Sequence, residues 1–460
     1  ITKPLPLTSF DEDLGTTSLK RPNVLLIMSD DMNDWTSLTN NWVKTPNLKA
    51  FAETGVQFER AHVPAQECNP SRTAILLGQR PGTTGMYWNR HEFRMNPSTM
   101  DAVTLPQFFK AEGYETLDTG KIYHQRTETW DLSGPGGGAA VPAPLQANPW
   151  HKGDFLAKGD TYNEEAFVFG PSDQPEAQIG DTQSAQYTAD YVKVAHAKPF
   201  FAACGFVKPH TPLIAPQRYF DMYPLNEIQL PPVVANDLDD VGPIARTVAN
   251  NFGKNIQETV LKFNAWPQAV QAYKAAASFV DNNLGIVVRA LDSGPNKENT
   301  IVIFVSDHGV HAGTKEHWWK MTLWNETTRI PFVLRVPGVS VAGGVSPRTV
   351  NAIDIYATLL DVMNYPAKAD LDGRSIAPLL RDPKAAWEYP TMTTAGYKNH
   401  SIVSEKFRFT QYADGFQELY DQEADPNEFT NVATDPKHAA VIAELAKWLP
   451  KTDAPDLLKQ

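Results

Sequence analysis

Asp30 and Asp31 end the apolar run NVLLIMS, Lys121 follows Gly120 after ETLDT, Lys208, Pro209 and His210 close KPFFAACGFV, and Asp307 and His308 close NTIVIFVS. Carboxylates, lysines and histidines are the side chains that hold cations, hold anions and move protons. Each alone has a plain reading: paired aspartates can be a solvated turn, and Lys121 an ordinary surface lysine. Their recurrence at the ends of strand-like runs points to a site. A further stretch, QECNPSRTAILLG from Gln66 to Gly78, puts Cys68 ahead of Pro70, Ser71 and Arg72. That cysteine could pack as a core thiol, pair with Cys204, act as a thiol nucleophile, or be raw material for a modification. Cys204, inside FFAACGF, reads as core.

The elements that must position these residues follow a regular grammar. Arg21–Trp35 reads as a short buried strand ending in carboxylates. Thr45–Val63 carries a helix opened by Pro46, a stop at Gly55 and a strand, and Thr104–His124 repeats that order. Lys198–His210, Asn299–Gly309 and Arg329–Gly338 read as strands, and Ala272–Ser293 as an amphipathic helix. Helices alternating with β-branched runs predict an α/β fold with a large, mainly parallel sheet flanked by helices on both faces. In such sheets the chemistry gathers at the carboxyl ends of the strands, where these polar residues stand. Residues 132–186, rich in Gly, Pro and polar types, read as a loop-rich insertion near the site. The grammar changes near residue 385, which predicts a catalytic domain over 1–384 and a small α+β subdomain over 385–460, with an antiparallel sheet and a closing helix.

Composition bounds the partners. The formal net charge is −12, against nucleic acid, which needs a basic surface. It leaves room for an anionic small substrate at a locally positive site. No apolar stretch is long enough to span a membrane. The sequence opens at Ile1 with no signal-peptide pattern, so a removed or trimmed leader is expected. The 36 prolines predict long, stiff loops rather than a helical bundle.

CNPSR followed by TAILLG resembles the sulfatase signature, Cys-x-Pro-Ser-Arg with a Leu-x-Gly close; SDDMNDW, TGKIYH, KPH, SDHG and ELYDQEADPNEFTNV also match that family in order. The chain is similar to type I sulfatases of the alkaline-phosphatase superfamily, closest to the iduronate-2-sulfatase-like branch, over nearly its whole length. Leu77 stands where Thr is usual. The resemblance implies a sulfuric ester hydrolase acting on a sulfated carbohydrate derived from a polysaccharide, in a secreted or periplasmic setting. It implies that a formylglycine-generating or equivalent enzyme oxidises Cys68 to Cα-formylglycine. The hydrated aldehyde then attacks sulfur and later expels sulfate as the aldehyde re-forms. By the same resemblance one Ca2+ is held by Asp30, Asp31, Asp307, His308 and the modified Cys68. Arg72 supports the nucleophile, Lys121 and Lys320 clamp the sulfate, His124 stabilises the diol, and His210 protonates the leaving sugar oxygen.

GMYWNRHEFRM, Gly85–Met95, reads either as a surface loop or as a sugar-recognition segment in which Trp88 stacks and Arg90, His91 and Arg94 read charge. WWK and Trp324 are candidates for a pocket wall, and His62, His311 and His317 read as structural or substrate-contacting. Two other activities stay open at this point: a phosphonate or phosphate monoesterase of the same superfamily, and a non-catalytic carbohydrate-binding relative.

Overall fold

The computed structural model describes residues 21–124, 154–155, 168–250 and 256–456. Seven strands build the main sheet: β1 (Asn23–Asp30), β2 (Val56–His62), β3 (Glu115–Gly120), β4 (Phe200–Pro209), β5 (Thr300–Ser306), β6 (Phe332–Arg335) and β7 (Gly344–Asn351). Their order is β7-β2-β6-β5-β1-β4-β3. Every neighbouring pair is parallel except those made by β6, which runs antiparallel to β5 and β2.

Alternation along β1 divides the core in two. Leu25 and Ile27 join one apolar cluster with Phe200, Cys204 and the long helix Trp266–Asp292. Val24, Leu26 and Met28 join the other with Ile75, Leu76 and Leu77 of the helix Cys68–Leu77. All eight β1 residues are buried, as expected of a strand covered on both faces. Each fully buried Leu, Ile or Val there contributes about 1.5–3 kcal/mol. Small residues in the long helix, Ala272, Ala275 and Ala276 among them, are buried and let it lie close to the sheet. Both cysteines are free, and Cys204 is the core thiol its context predicts.

Register brings the strand ends abreast. Ser29 pairs with Ser306, Asp30 with Pro209, and Gly120 with Gly205. A Cβ on Gly120 would lie 1.9 Å from the Gly205 carbonyl oxygen, and one on Gly205 would lie 1.9 Å from that of Lys121. Glycine at both positions therefore lets β3 and β4 close up, and Lys121 N–H donates to Gly205 O at 3.0 Å.

Most of the insertion expected over 132–186 lies outside the described residues. Its described end differs from the expected loop. Val168–Ser172 is a strand paired with Asp154–Phe155 and Leu213–Pro216, and a helix runs over Gly180–Val192. Its buried face carries Asp181 and Val192 at the ends and only small residues, Ser184, Ala185, Thr188 and Ala189, between them, whose weak apolar signal hides the helical period. In the C-terminal region the antiparallel sheet has the strands Thr391–Thr394, His400–Val403, Phe407–Gln411 and Gln417–Asp421. The closing helix Ala439–Ala446 packs Leu445 among Ile402, Phe409 and Leu419. Buried Arg408 ties this sheet to the segment that leads into β6, donating to Leu323 O at 2.8 Å and Thr328 Oγ1 at 3.0 Å. No helix among the described residues is long and apolar enough to cross a membrane.

Candidate active site

Cys68 opens a ten-residue helix in which every residue is buried and which ends at Gly78 in the left-handed conformation. Its sulfur is where the strand ends converge. Asp30 Oδ1 lies 3.2 Å from Cys68 Sγ, His308 Nε2 lies 3.3 Å away, and Lys320 Nζ 3.0 Å away. Lys320 also donates to Asp31 Oδ1 at 2.9 Å, and Lys121 pairs with Asp30 Oδ2. One turn along the helix, Arg72 Nε donates to Asp307 Oδ2 at 2.7 Å, while its other nitrogens reach the carbonyls of Lys121, Ile122 and Ser29. Asp307 Oδ1 accepts from the backbone N–H of Asp31 at 3.1 Å and of His308 at 2.9 Å. Residues from positions 30 to 320 thus meet in one pocket.

Three residues in the site's turns carry backbone strain. Asp31 sits at φ 68°, and Trp319 and Met321, which flank Lys320, sit at 85° and 80°. Non-glycine residues in this region cost about 1–3 kcal/mol each and persist only where the surroundings hold them. Tyr273 Oη braces the first turn, donating to Asp31 O at 3.0 Å. His317 braces the second, with Nε2 2.8 Å from Lys320 O and Nδ1 2.8 Å from Ala249 O.

Three buried carboxylates face three cations, and the balance differs at each. Burial alone would raise Asp30, but Lys121, His210 and Arg72 overcome it and hold the carboxyl well below the ordinary range. Asp31 is lowered in the same way, against burial, chiefly by Lys320. At Asp307 burial wins over Arg72 and the carboxyl is raised. Burial, with Asp30 next, pushes the Cys68 thiol up, so the unmodified sulfur is protonated and a poor nucleophile. His124 and His210 face the same charges. Burial and then Lys121 lower His124 to about 3; burial lowers His210 to about 4 despite Asp31. Both rings are therefore neutral at pH 7.

The cluster suits a divalent cation. One donor atom each from Asp30, Cys68, Asp307 and His308 lies within 4.8 Å of the others. Asp31 Oδ2 is a buried acceptor with no donor among the described residues, an arrangement that is costly unless something neutralises it. Three carboxylates make a hard oxygen set of the kind Ca2+ prefers. His308 Nδ1 faces only acceptors, Gly309 O at 3.0 Å and Asp31 Oδ1 at 3.4 Å. The proton therefore belongs on Nδ1, which leaves the Nε2 lone pair toward the cluster.

The segment Gly85–Met95 divides. Arg90 is exposed and close enough to act on Glu67, the residue before Cys68. Trp88 is half-buried, with Nε1 donating to Asp456 Oδ2 at 3.0 Å. His91 is turned inward: Nδ1 accepts from Tyr87 N–H at 3.0 Å, and Nε2 lies 3.5 Å from Asp456. Arg94 also differs from the expected sugar contact. It lies over the Phe93 ring and donates to Thr99 O at 2.9 Å, Ala102 O at 2.8 Å and Gln107 Oε1 at 3.0 Å. These contacts clip the loop to the helix Leu105–Ala111, so Arg94→Ala should lower stability by about 1–3 kcal/mol. It should lower aryl-sulfate and sugar-sulfate turnover to the same extent. A selective loss on the sugar, in paired kcat/KM measurements, would return Arg94 to recognition.

Sequence reasoning missed several supporting groups. Glu67 is buried and accepts from Asn89 N–H at 2.8 Å. Asp181 accepts from the backbone of Val207 and Lys208 at 2.9 Å each, and Lys208 Nζ donates to His210 O at 3.0 Å and Pro212 O at 2.6 Å, fixing the loop that presents His210. The strand-end KPH run had already marked Lys208 but not this holding role; Asp181 lay inside the supposed insertion and had no signal. His311 bridges Thr314 and Thr322, a structural role. Trp318 is core, and Trp324 lines a cavity with Trp88 and Tyr412 that none of the cluster residues lines.

A family model described as Sulfatase matches residues 22–365, and one described as N-sulphoglucosamine sulphohydrolase, C-terminal, matches 313–454. A sulfatase of Formosa agariphila is 34% identical over 94% of this chain and 87% of its own. An ulvan-active sulfatase of the same organism is 28% identical over 94% and 81%. The iduronate 2-sulfatase of Mus musculus is 29% identical over 70% of this chain and 61% of its own. Two solved structures share the fold over 93% of this chain. The phosphonate monoester hydrolase of Agrobacterium radiobacter has a TM-score of 0.74 at 21% identity, covering 94% of that protein. A 2-O GAG sulfatase has 0.69 at 22%, covering 91%.

Proposed function

The chain belongs to the sulfatase family and is a sulfuric ester hydrolase, and on that premise we propose that it removes sulfate from a carbohydrate, a unit of a sulfated polysaccharide or an oligosaccharide cut from one. The ulvan-active relative supports that substrate class, and a polysaccharide is met outside the cytoplasm, so a secreted or periplasmic place of action goes with it. The observation that carries the proposal is the meeting of Asp30, His308 and Lys320 on Cys68 Sγ, at 3.2, 3.3 and 3.0 Å. A non-catalytic binding protein has no use for so costly a cluster.

Ca2+ held by Asp30, Asp31, Asp307 and His308, beside Cys68 matured to Cα-formylglycine, would supply an activated oxygen nucleophile and charge to stabilise the reaction. Cys68 is fully buried, so the maturation enzyme must meet this segment before the chain closes around it. The rest falls to the chain's own side chains. Arg72 holds Asp307 in place and neutralises it. Lys121 and Lys320, which pair with Asp30 and Asp31, are assigned to the sulfate oxygens. His124, neutral and with a buried Nδ1 that has no partner among the described residues, is assigned to the nucleophile. His210 is assigned to the leaving oxygen: an anionic ester in front of the ring raises its affinity for a proton, which it then donates.

Leaving-group dependence tests this. Nitrophenolate departs without a proton, whereas a sugar alkoxide does not. His210→Ala should therefore lower kcat/KM on a sugar sulfate by about 10²–10⁴, and on p-nitrophenyl sulfate by far less. Equal losses would assign His210 to binding. The second reading, a phosphonate or phosphate monoesterase, draws on the likeness to the Agrobacterium enzyme. Faster turnover of p-nitrophenyl phosphate or phenylphosphonate than of p-nitrophenyl sulfate by the matured protein would establish it instead.

A further inference from the structure

The tail that follows the closing helix Ala439–Ala446 is tied down. Asp453 Oδ2 lies 3.1 Å from His400 Nε2, on the C-terminal sheet. Ala454 N–H donates to Gly82 O at 2.7 Å, and Tyr87 Oη donates to Ala454 O at 2.6 Å. Trp88 Nε1 donates to Asp456 Oδ2 at 3.0 Å. Chain ends are loose unless held in this way. Here the tail is fixed between the sheet and the segment after the signature helix, so it can serve as a wall.

A cavity of about 400 Å3 lies against that wall, lined by Leu449, Pro450 and Lys451 on the tail and by Tyr397, Lys398 and Gln411 on the sheet side, among others. Its size is that of a small-ligand site, about 300–1,000 Å3. None of the residues that meet at Cys68 lines it, so what it holds is not the scissile sulfate. Its accessible charge is positive. Lys398 and Lys451 are both exposed, and neither has an ion-pair partner among the described residues. Lys398 Nζ lies over the Tyr397 ring, 5.1 Å from its centroid. The one carboxylate among the described lining residues, Asp453, is turned away. Its side chain is 5% exposed, with one oxygen on His400 and the other 2.5 Å from where a Cβ on Gly82 would stand. On a chain of net charge −12, two unpaired lysines make a locally cationic pocket. Half-buried Tyr397, Leu449 and Pro450 give it an apolar side. An acidic sugar has both matching parts: a sulfate or carboxylate for the ammonium groups and ring C–H for the apolar side.

We propose that this pocket is a second carbohydrate site, apart from the Cys68 cluster, that takes an acidic sugar unit of a sulfated polysaccharide through Lys398 and Lys451. Its work is to anchor the polymer on the enzyme, not to cleave it. The ligand class rests on the carbohydrate reading above, and the site extends that reading.

The test uses the full chain. Cys68→Ala protein, which cannot turn over its ligand, is run by affinity electrophoresis in gels containing ulvan, ι-carrageenan or heparin, with neutral dextran as the blank. At least one sulfated polymer should retard it, and dextran should not. Adding Lys398→Glu and Lys451→Glu should weaken that binding by about ten-fold or more in Kd. Adding Lys193→Glu and Lys297→Glu instead makes the same change of charge at exposed ion pairs elsewhere, and should leave it unchanged. If the pocket reversal does not fold, Lys398→Met with Lys451→Met keeps the stems and should weaken binding about three- to ten-fold. On the matured background the pocket variant should turn over p-nitrophenyl sulfate as the wild type does. No retardation by any of the three polymers, equal weakening in the two double variants, or loss of aryl-sulfate turnover in the pocket variant would each overturn the pocket and leave the sulfatase reading intact. Retardation lost only in the pocket variant, with no turnover of any sulfate ester by the matured wild type, would overturn that reading and leave the pocket standing.

Discussion

Cys68→Ala should give a folded protein whose kcat on any sulfate ester has fallen by on the order of 10⁴–10⁶, the range for losing a covalent nucleophile. The helix Cys68–Leu77 is held by Arg72 and by Ile75, Leu76 and Leu77 in the core, none of which the substitution touches. Removing one buried sulfur should shift stability by no more than about 1 kcal/mol. Circular dichroism and melting should therefore match the wild type while turnover vanishes. Cys68→Ser sharpens the test. A serine oxygen can take the sulfuryl group from the ester, releasing the alcohol, but has no second hydroxyl through which to expel it. Intact-mass spectrometry should then find at most one SO3 unit added per chain and no sustained turnover. Multiple turnovers by either variant would mean that the chemistry runs through another group.

Why so much of this site was legible in the sequence is a matter of strand ends. Asp30-Asp31, Lys208-Pro209-His210 and Asp307-His308 each close a buried run, and in a parallel sheet all such ends point to one edge. The register places Ser29 beside Ser306 and Asp30 beside Pro209, so local pattern and global topology agree. What was not legible depends on partners far along the chain. His91 and Trp88 are held by Asp456, and nothing in GMYWNRHEFRM announces it. Arg94 looked like a charge reader because its receivers are backbone carbonyls, which every sequence has. The antiparallel course of β6 was equally hidden, since a short buried strand of FVLR carries no sign of direction.

Asp31→Asn should abolish the response of the protein to Ca2+ more completely than it harms the fold. Two properties single out this residue. Asp31 Oδ2 is buried without a donor among the described residues, so one oxygen of a carboxylate that Lys320 holds by the other is left for a cation. Its backbone sits at φ 68°, a conformation that asparagine adopts more readily than most side chains, so the turn should survive. The variant loses the ion pair with Lys320 Nζ, 2.9 Å away, yet the amide oxygen can still accept from that lysine. With Ca2+ at a hundred times its Kd, the wild type should gain about 2.7 kcal/mol of stability, read as an upward shift in melting temperature and as one site per chain by calorimetry. In Asp31→Asn the affinity should fall by at least about a hundred-fold, equivalent to roughly 2.8 kcal/mol, and the thermal shift at the same Ca2+ concentration should largely disappear. Asp307→Asn should behave worse, because Arg72 Nε, the Asp31 N–H and the His308 N–H all converge on that carboxylate. It should lose both the Ca2+ response and part of the metal-free stability, about 3–5 kcal/mol for breaking a buried pair. A full-sized Ca2+ shift in both variants would remove these carboxylates from the metal, and the three-carboxylate cluster would then serve only to hold the two lysines and Arg72 around Cys68.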